Sequence, residues 1–248
     1  MTAARLVAER APEPELGTAF LAGVYRPLER WLRYLATDRR LDGCPLVTAL
    51  HPWETGWDNS PRWDHLRSAS LKPSLPFVRR DTAHVDVKHR PDDRDYDGYL
   101  ALVEMLDECD YSITRYRERS PLVVNDVFID AAWYRAATDL NAVAERIGTR
   151  APFSSSELEE FAQAFDDRHW DPALERYFDY DIVSGRRILA PTPAGIAATI
   201  SGIIPSARAH RMWQAYLAEG GEMRASSGRP LRGTRHSRLT AIGGDRYG

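Results

Sequence analysis

Apolar residues recur at three- and four-residue steps along several stretches of the chain, and each such stretch predicts an amphipathic helix. From Ala19 to Leu35 the set is Phe20, Leu21, Val24, Tyr25, Leu28, Trp31, Leu32 and Leu35. Pro27 interrupts it, so a kink, or a helix beginning nearer to that proline, is expected. A second stripe, Tyr99, Leu102, Val103, Leu106, Cys109 and Ile113, predicts a helix that opens after Pro91-Asp92-Asp93 and ends near Arg119, where Ser120-Pro121 breaks it. The clearest period belongs to Ile129, Trp133, Ala136, Leu140, Val143 and Ile147, stopped by Gly148. Ser156-Glu157-Leu158-Glu159 reads as a capping box for a further helix, with Leu158, Phe161, Phe165 and Trp170 inward. Pro193 starts a short apolar helix that Pro205 must end. Ser206 opens the last one, with Ala207, His210, Met212, Trp213, Tyr216 and Leu217 facing the core.

Between these helices the pattern shortens. Cys44 to Leu50 is an apolar run behind the Asp42-Gly43 turn, and Leu122 to Phe128 is nearly all apolar apart from Asn125 and Asp126. Phe178 to Leu189 alternates in part around Ser184-Gly185, which predicts a small hairpin. Ala83, Val85 and Val87 alternate with His84, Asp86 and Lys88, an extended segment. His84 and His89 with Asp81 and Asp86 hold metal-ligand side chains, but the alternation fits a solvated edge strand better, so no metal is assigned. From Gly220 onward arginine and glycine accumulate without any period, and residues 220–248 read as an irregular basic tail. Residues 1–16 read as a flexible leading segment, which leaves 17–219 as the domain.

One stretch fits neither period: His51-Pro52-Trp53-Glu54-Thr55-Gly56-Trp57-Asp58-Asn59-Ser60-Pro61-Arg62-Trp63-Asp64. It gathers three of the chain's seven tryptophans with three carboxylates and an arginine, punctuated by Pro52, Gly56 and Pro61. Indole faces cover the C–H faces of a sugar ring, carboxylates and arginine bind its hydroxyls, and glycoside hydrolysis needs a carboxylic acid beside the scissile oxygen. The competing reading is a surface-proximal mini-core with its acids as caps.

Charge and cysteine content narrow the choice. A formal net charge of -3 gives no reason to expect nucleic acid or an acidic membrane as partner. Cys44 and Cys109 are the only cysteines and lie far apart, which fits a reducing compartment and a cytoplasmic protein. No window approaches the apolar length of a membrane span.

The loop resembles the HPWESGxDNSPRWD signature of the mannosylglycerate and glucosylglycerate hydrolase group, itself similar to family 63 glucosidases and, more distantly, to family 37 trehalases. The resemblance extends to Arg80-Asp81, Arg90-Pro91 and Asp95-Tyr96 downstream. It implies a mainly α fold, part of an (α/α)6 toroid incomplete at both ends, and an inverting glycosidase acting on a small α-linked glucoside or mannoside. It further implies Asp58 as general acid, kept protonated by an apolar wall of Trp53, Trp57 and Trp63. Trp53, Glu54, Trp57, Asn59, Arg62, Trp63 and Asp64 are then expected to bind the sugar or brace the loop, with Arg62 alternatively paired to Asp64. Asp126 is an N-cap that the resemblance would turn toward the sugar. No cofactor is implied; the expected partner is a small sugar, and assembly into a homo-oligomer stays open. The helices and the general base that such a toroid would carry further along are not found in this chain, so a truncated or frame-disrupted piece is expected. Two rivals stand beside this reading: a carbohydrate-binding fragment without catalysis, and an all-helical scaffold whose tryptophan loop is packing only.

Overall fold

The computed structural model describes residues 1–81, 83, 85–86 and 90–217. The expected extended segment and the histidines His84 and His89 therefore lie mostly outside the described residues, as does the basic tail.

In place of a flexible leader, α1 (Thr2–Glu9) forms a helix whose Ala8 is buried against the rest of the chain. It is held by Arg5, paired to Asp139 at 2.8 Å, and by the Thr2 hydroxyl on the same carboxylate. Close approach of α1 to α2 (Pro14–Thr37) depends on Gly17, where an added Cβ would meet the Ala8 carbonyl oxygen at 2.4 Å. α2 starts at Pro14, a favourable first-turn position, and runs through Pro27 without ending there. Pro27 and Gly23 are exposed, so water can hydrate the carbonyl that the proline leaves without a donor. Gly17, Leu21, Tyr25 and Leu32 form its buried line, while Phe20 and Trp31, expected inside, face outward.

α3 (Asp93–Glu108) is capped by Asp92 and buries Tyr99, Leu102 and Leu106 as the period predicts. It ends eleven residues short of Arg119: Asp110 and Tyr111 adopt left-handed backbone, and a separate α4 (Ile113–Arg117) follows. α5 (Val127–Arg146) carries Trp133, Leu140 and Val143 into the main core, against α2, α6 (Ser155–His169), α7 (Pro193–Ala197) and α8 (Ser206–Leu217). Of the residues expected inside on α8, Met212 and Tyr216 are buried, whereas Trp213 and Leu217 are exposed.

The capping box of α6 lies two residues upstream of the expected one. Ser154 accepts from the Glu157 backbone N–H and the Glu157 carboxylate accepts from the Ser154 backbone. Both serine registers satisfy the motif, but Phe153 is buried and pinned to the Asn141 side chain through its own N–H and carbonyl, which fixes where the helix begins. Ser154→Ala should therefore cost about 1 kcal/mol in denaturant unfolding, while Ser156→Ala should stay within about 0.5 kcal/mol.

Short strands tie the loops together. β1 (Thr48–Ala49), β2 (Val124–Asn125), β5 (Asp179–Asp181) and β6 (Arg186–Ile188) form one antiparallel sheet in the order β1-β2-β5-β6. The β5–β6 hairpin is the expected one; β3 (Trp170–Asp171) and β4 (Arg176–Tyr177) form a second, which takes Trp170 off the end of α6. The sheet matters for what it places side by side: the chain after β1 is the tryptophan loop, the chain after β2 is the start of α5, and Asp179 opens β5. The loop spans two cores, with Trp63 in the one built on α3 and Trp57 packed on the one built on α5.

Candidate active site in the tryptophan loop

The loop is two 3-10 turns joined at a left-handed glycine. His51 caps the first, Pro52–Thr55: its Nδ1 accepts from the Trp53 backbone N–H at 3.0 Å, and its Nε2, 2.9 Å from the Tyr99 carbonyl oxygen, must carry the proton. Gly56, at φ +70°, ends that turn. Ser60 caps the second, Pro61–Ala69. Buried His51 is pushed below the usual imidazole value by desolvation. Its protonated form would also set an N–H against the Trp53 amide. Below about pH 6.5 the unfolded chain takes up a proton that the folded chain refuses, so stability should fall as pH drops. Thermal unfolding between about pH 5 and 8 should show this slope, and His51→Gln should flatten it.

Glu54 braces the loop. Its carboxylate takes Arg39 at 2.6 and 2.8 Å and the Leu50 backbone N–H at 2.7 Å. Asp64 is exposed and lies 3.8 Å from Arg67, not against Arg62.

Around Asp58 the main chain is fixed while, among the described residues, the side chain is left unpaired. The Tyr99 hydroxyl donates to the Asp58 carbonyl oxygen at 2.6 Å, the Trp63 indole N–H donates to the Trp57 carbonyl oxygen at 3.0 Å, and the Trp57 N–H donates to the Thr55 hydroxyl at 3.1 Å. Burial drives the Tyr99 phenol well above its ordinary value, so it stays a donor. The Asp58 carboxylate is half-buried and makes no hydrogen bond or ion pair among the described residues.

The three indoles do not form one wall. Trp53 is 41% exposed and leans on His51 at 4.5 Å, with Tyr96 and Tyr99 about it. Trp57 stacks on Phe128 at 5.3 Å and 10°. Trp63 is buried in the core built on α3. Tyr96 also carries Phe77 and the Arg79 guanidinium on its ring, and Arg79 with Arg90 holds Asp81 well below the usual carboxylate range. The downstream segment that shared the resemblance thus packs against the Trp53 side of the loop.

Arg62 and Asp126, both expected to meet a sugar, are buried and meet each other. Arg62 Nη1 donates to Asp126 at 2.6 Å and to both oxygens of Asp179 at 2.9 and 3.0 Å, with side-chain exposures of 1% on all three residues. Asp126 also caps α5 by accepting from Phe128 and Ile129, each at 2.9 Å. Burial and the neighbouring Asp126 charge push Asp179 upward, against the pull of Arg62. Asp179 escapes a sequence reading because it sits 117 residues from Arg62. The only local signal is an acid just behind buried Phe178 at the start of a hairpin. Asn59 is exposed beside Asp58. Among the described residues no cluster of three or more metal-ligating side chains occurs, and no helix is long and apolar enough to cross a membrane.

Residues 1–230 match the family described as mannosylglycerate hydrolase MGH1-like glycoside hydrolase domain. The chain is 33% identical over 220 residues to a mannosylglycerate hydrolase of Rubrobacter radiotolerans, a match covering 88% of this chain and 50% of that protein. It is 35% identical over 186 residues to a mannosylglycerate hydrolase of Thermus thermophilus, covering 75% and 44%. A solved GH63 mannosylglycerate hydrolase, also from Thermus thermophilus and in complex with Tris and D-glycerate, superposes with a TM-score of 0.80 at 30% identity, over 87% of this chain and 52% of that one. The mainly helical fold is thus consistent with the expected part of a helical toroid, and the chain spans about half the length of the relatives it matches.

Proposed function

The chain belongs to the mannosylglycerate hydrolase MGH1-like glycoside hydrolase family, and we propose that it carries the acid-bearing part of an inverting glycosidase for a small α-linked glucoside or mannoside of glycerate. Asp58 donates its proton to the glycosidic oxygen as the C1–O bond breaks, and the bond pair leaves on the aglycone oxygen. Water attacks C1 from the opposite face and gives its proton to a base that this reading assigns to no residue of the chain. The single observation behind the assignment of Asp58 is the contrast described above: a half-buried carboxylate with no hydrogen bond or ion pair among the described residues, on main chain that three hydrogen bonds hold. Exposed Asn59, next to it in the chain, and exposed Trp53, which meets the ring of the Tyr99 that holds the Asp58 carbonyl oxygen, are the candidate sugar contacts. Glu54 supports the loop, and Arg62, Trp63 and Asp126 act from beneath it. The proposed compartment is the cytoplasm, in keeping with two free cysteines.

The test is release of sugar from α-mannosylglycerate and α-glucosylglycerate, followed by proton NMR. The reading expects release from at least one of them, with the inverted anomer appearing first; release of the retained anomer, or none, would overturn it. The half-length match favours one second reading, sugar binding without turnover. That alternative predicts ligand-induced tryptophan fluorescence changes with no product. The scaffold reading required Trp53 and Trp57 fully buried, and Trp53 is not.

A further inference from the structure

We propose that Asp179 is a positioning residue for Asp58, acting through the Arg62 guanidinium and the Trp57 ring; the inference rests on the assignment of Asp58 as the acid. Three carboxylate oxygens converge on Arg62 Nη1, two from Asp179 and one from Asp126, and Arg62 Nε donates to the Ser60 hydroxyl at 3.2 Å. The guanidinium therefore has little freedom to turn. Its carbon lies 4.6 Å from the Trp63 ring centroid and 5.5 Å from that of Trp57. A planar cation fixed at that height sets where the Trp57 indole can lie, and Phe128, at the start of α5, stacks on the same indole.

The start of α5 is itself set by the same acids. Asp179 accepts from the Val127 N–H at 2.9 Å, and Asp126 accepts from the next two amides. Asp179 thus holds two contacts of the Trp57 ring, the guanidinium directly and Phe128 through the helix start. Asp58 is the next residue along, with its own carbonyl oxygen tied to Tyr99. A shift of the indole has to be absorbed by the peptide that carries the carboxylate.

A role in stability alone explains the arrangement poorly. Two carboxylates and one guanidinium taken wholly out of water cost about as much as their attraction returns, and apolar side chains of similar volume would hold the elements together at least as well. What apolar packing cannot supply is a fixed orientation for a planar group.

The test labels the protein with 5-fluorotryptophan and follows the Trp57 signal, assigned by Trp57→Phe, in Asp179→Asn. The Trp57 resonance should move or broaden while that of Trp133, in the main core, stays in place. In parallel, kcat on the glycerate glycoside should fall by about 10- to 100-fold with KM changed less than about twofold. A folded Asp179→Asn with an unmoved Trp57 resonance overturns the proposal, as does a lowered melting temperature with kcat unchanged. If Asp179→Asn does not fold, Arg62→Lys replaces it: lysine keeps the charge but offers no planar face, so an unmoved Trp57 signal again overturns the inference. Turnover that survives in Asp58→Asn would instead remove the acid assignment, and the fluorine signal would still decide whether Asp179 sets Trp57.

Discussion

Asp58→Asn should abolish hydrolysis of the glycerate glycoside and leave the protein folded. Asparagine has the shape of aspartate but cannot donate a carboxylic proton to a leaving oxygen, and a positioned general acid contributes about 10²–10⁴ in rate. The structural cost should be small, because the Asp58 carboxylate makes no hydrogen bond or ion pair among the described residues. Denaturant midpoints of the two proteins should agree to within about 0.5 kcal/mol. The pairing of a large loss in rate with an unchanged midpoint is the signature of a group kept for chemistry. A variant that lost both would instead mark Asp58 as part of the packing of the loop.

Arg62→Ala should be the most damaging single change to stability. It removes the cation from between two buried carboxylates, and breaking a buried ion cluster from one side costs about 3–5 kcal/mol. That is a large fraction of the roughly 5–15 kcal/mol that holds a native domain together. The sign of its pH dependence follows from burial. Asp179 already sits above the ordinary carboxylate range in the native protein, and without Arg62 it should rise further. An acid with a raised folded value binds more protons folded than unfolded, so the deficit is greatest at neutral pH. It should shrink as pH falls toward the ordinary carboxylate value near 4. Urea unfolding of wild type and variant at neutral and mildly acidic pH checks both size and sign; a loss below about 1 kcal/mol at neutral pH would show that the cluster is solvated or readily replaced.

The sequence was most legible where structure is local. The α5 stripe from Trp133 to Val143 and the α3 stripe from Tyr99 to Leu106 follow directly from a helical period, because each face has one core to meet. The α2 stripe misled on Phe20 and Trp31, since that helix is apolar around more of its girth than the core covers. The same is true of Trp213 and Leu217 on α8. Period alone could not choose between Ser154 and Ser156 as cap; the anchoring of Phe153 by Asn141 chose. At the site, the tryptophan loop was readable as a unit, because its residue types and spacing are contiguous. The roles of Arg62 and Asp126 were not readable. Arg62 pairs with Asp126 and with Asp179, an acid brought beside them by the β1-β2-β5 order of the sheet, and strands of two or three residues leave almost no periodic trace.

Asp58 as proton donor is the claim on which the functional account turns, and leaving-group dependence tests it most directly. Wild type and Asp58→Asn are compared on two substrates with the same sugar, the α-glucoside of glycerate and α-glucosyl fluoride, whose fluoride departs without needing a proton. The account predicts that the variant loses the glycerate substrate by at least about 100-fold and keeps the fluoride within about tenfold. Equal losses on both substrates, or undiminished turnover of the glycerate glycoside, would contradict it.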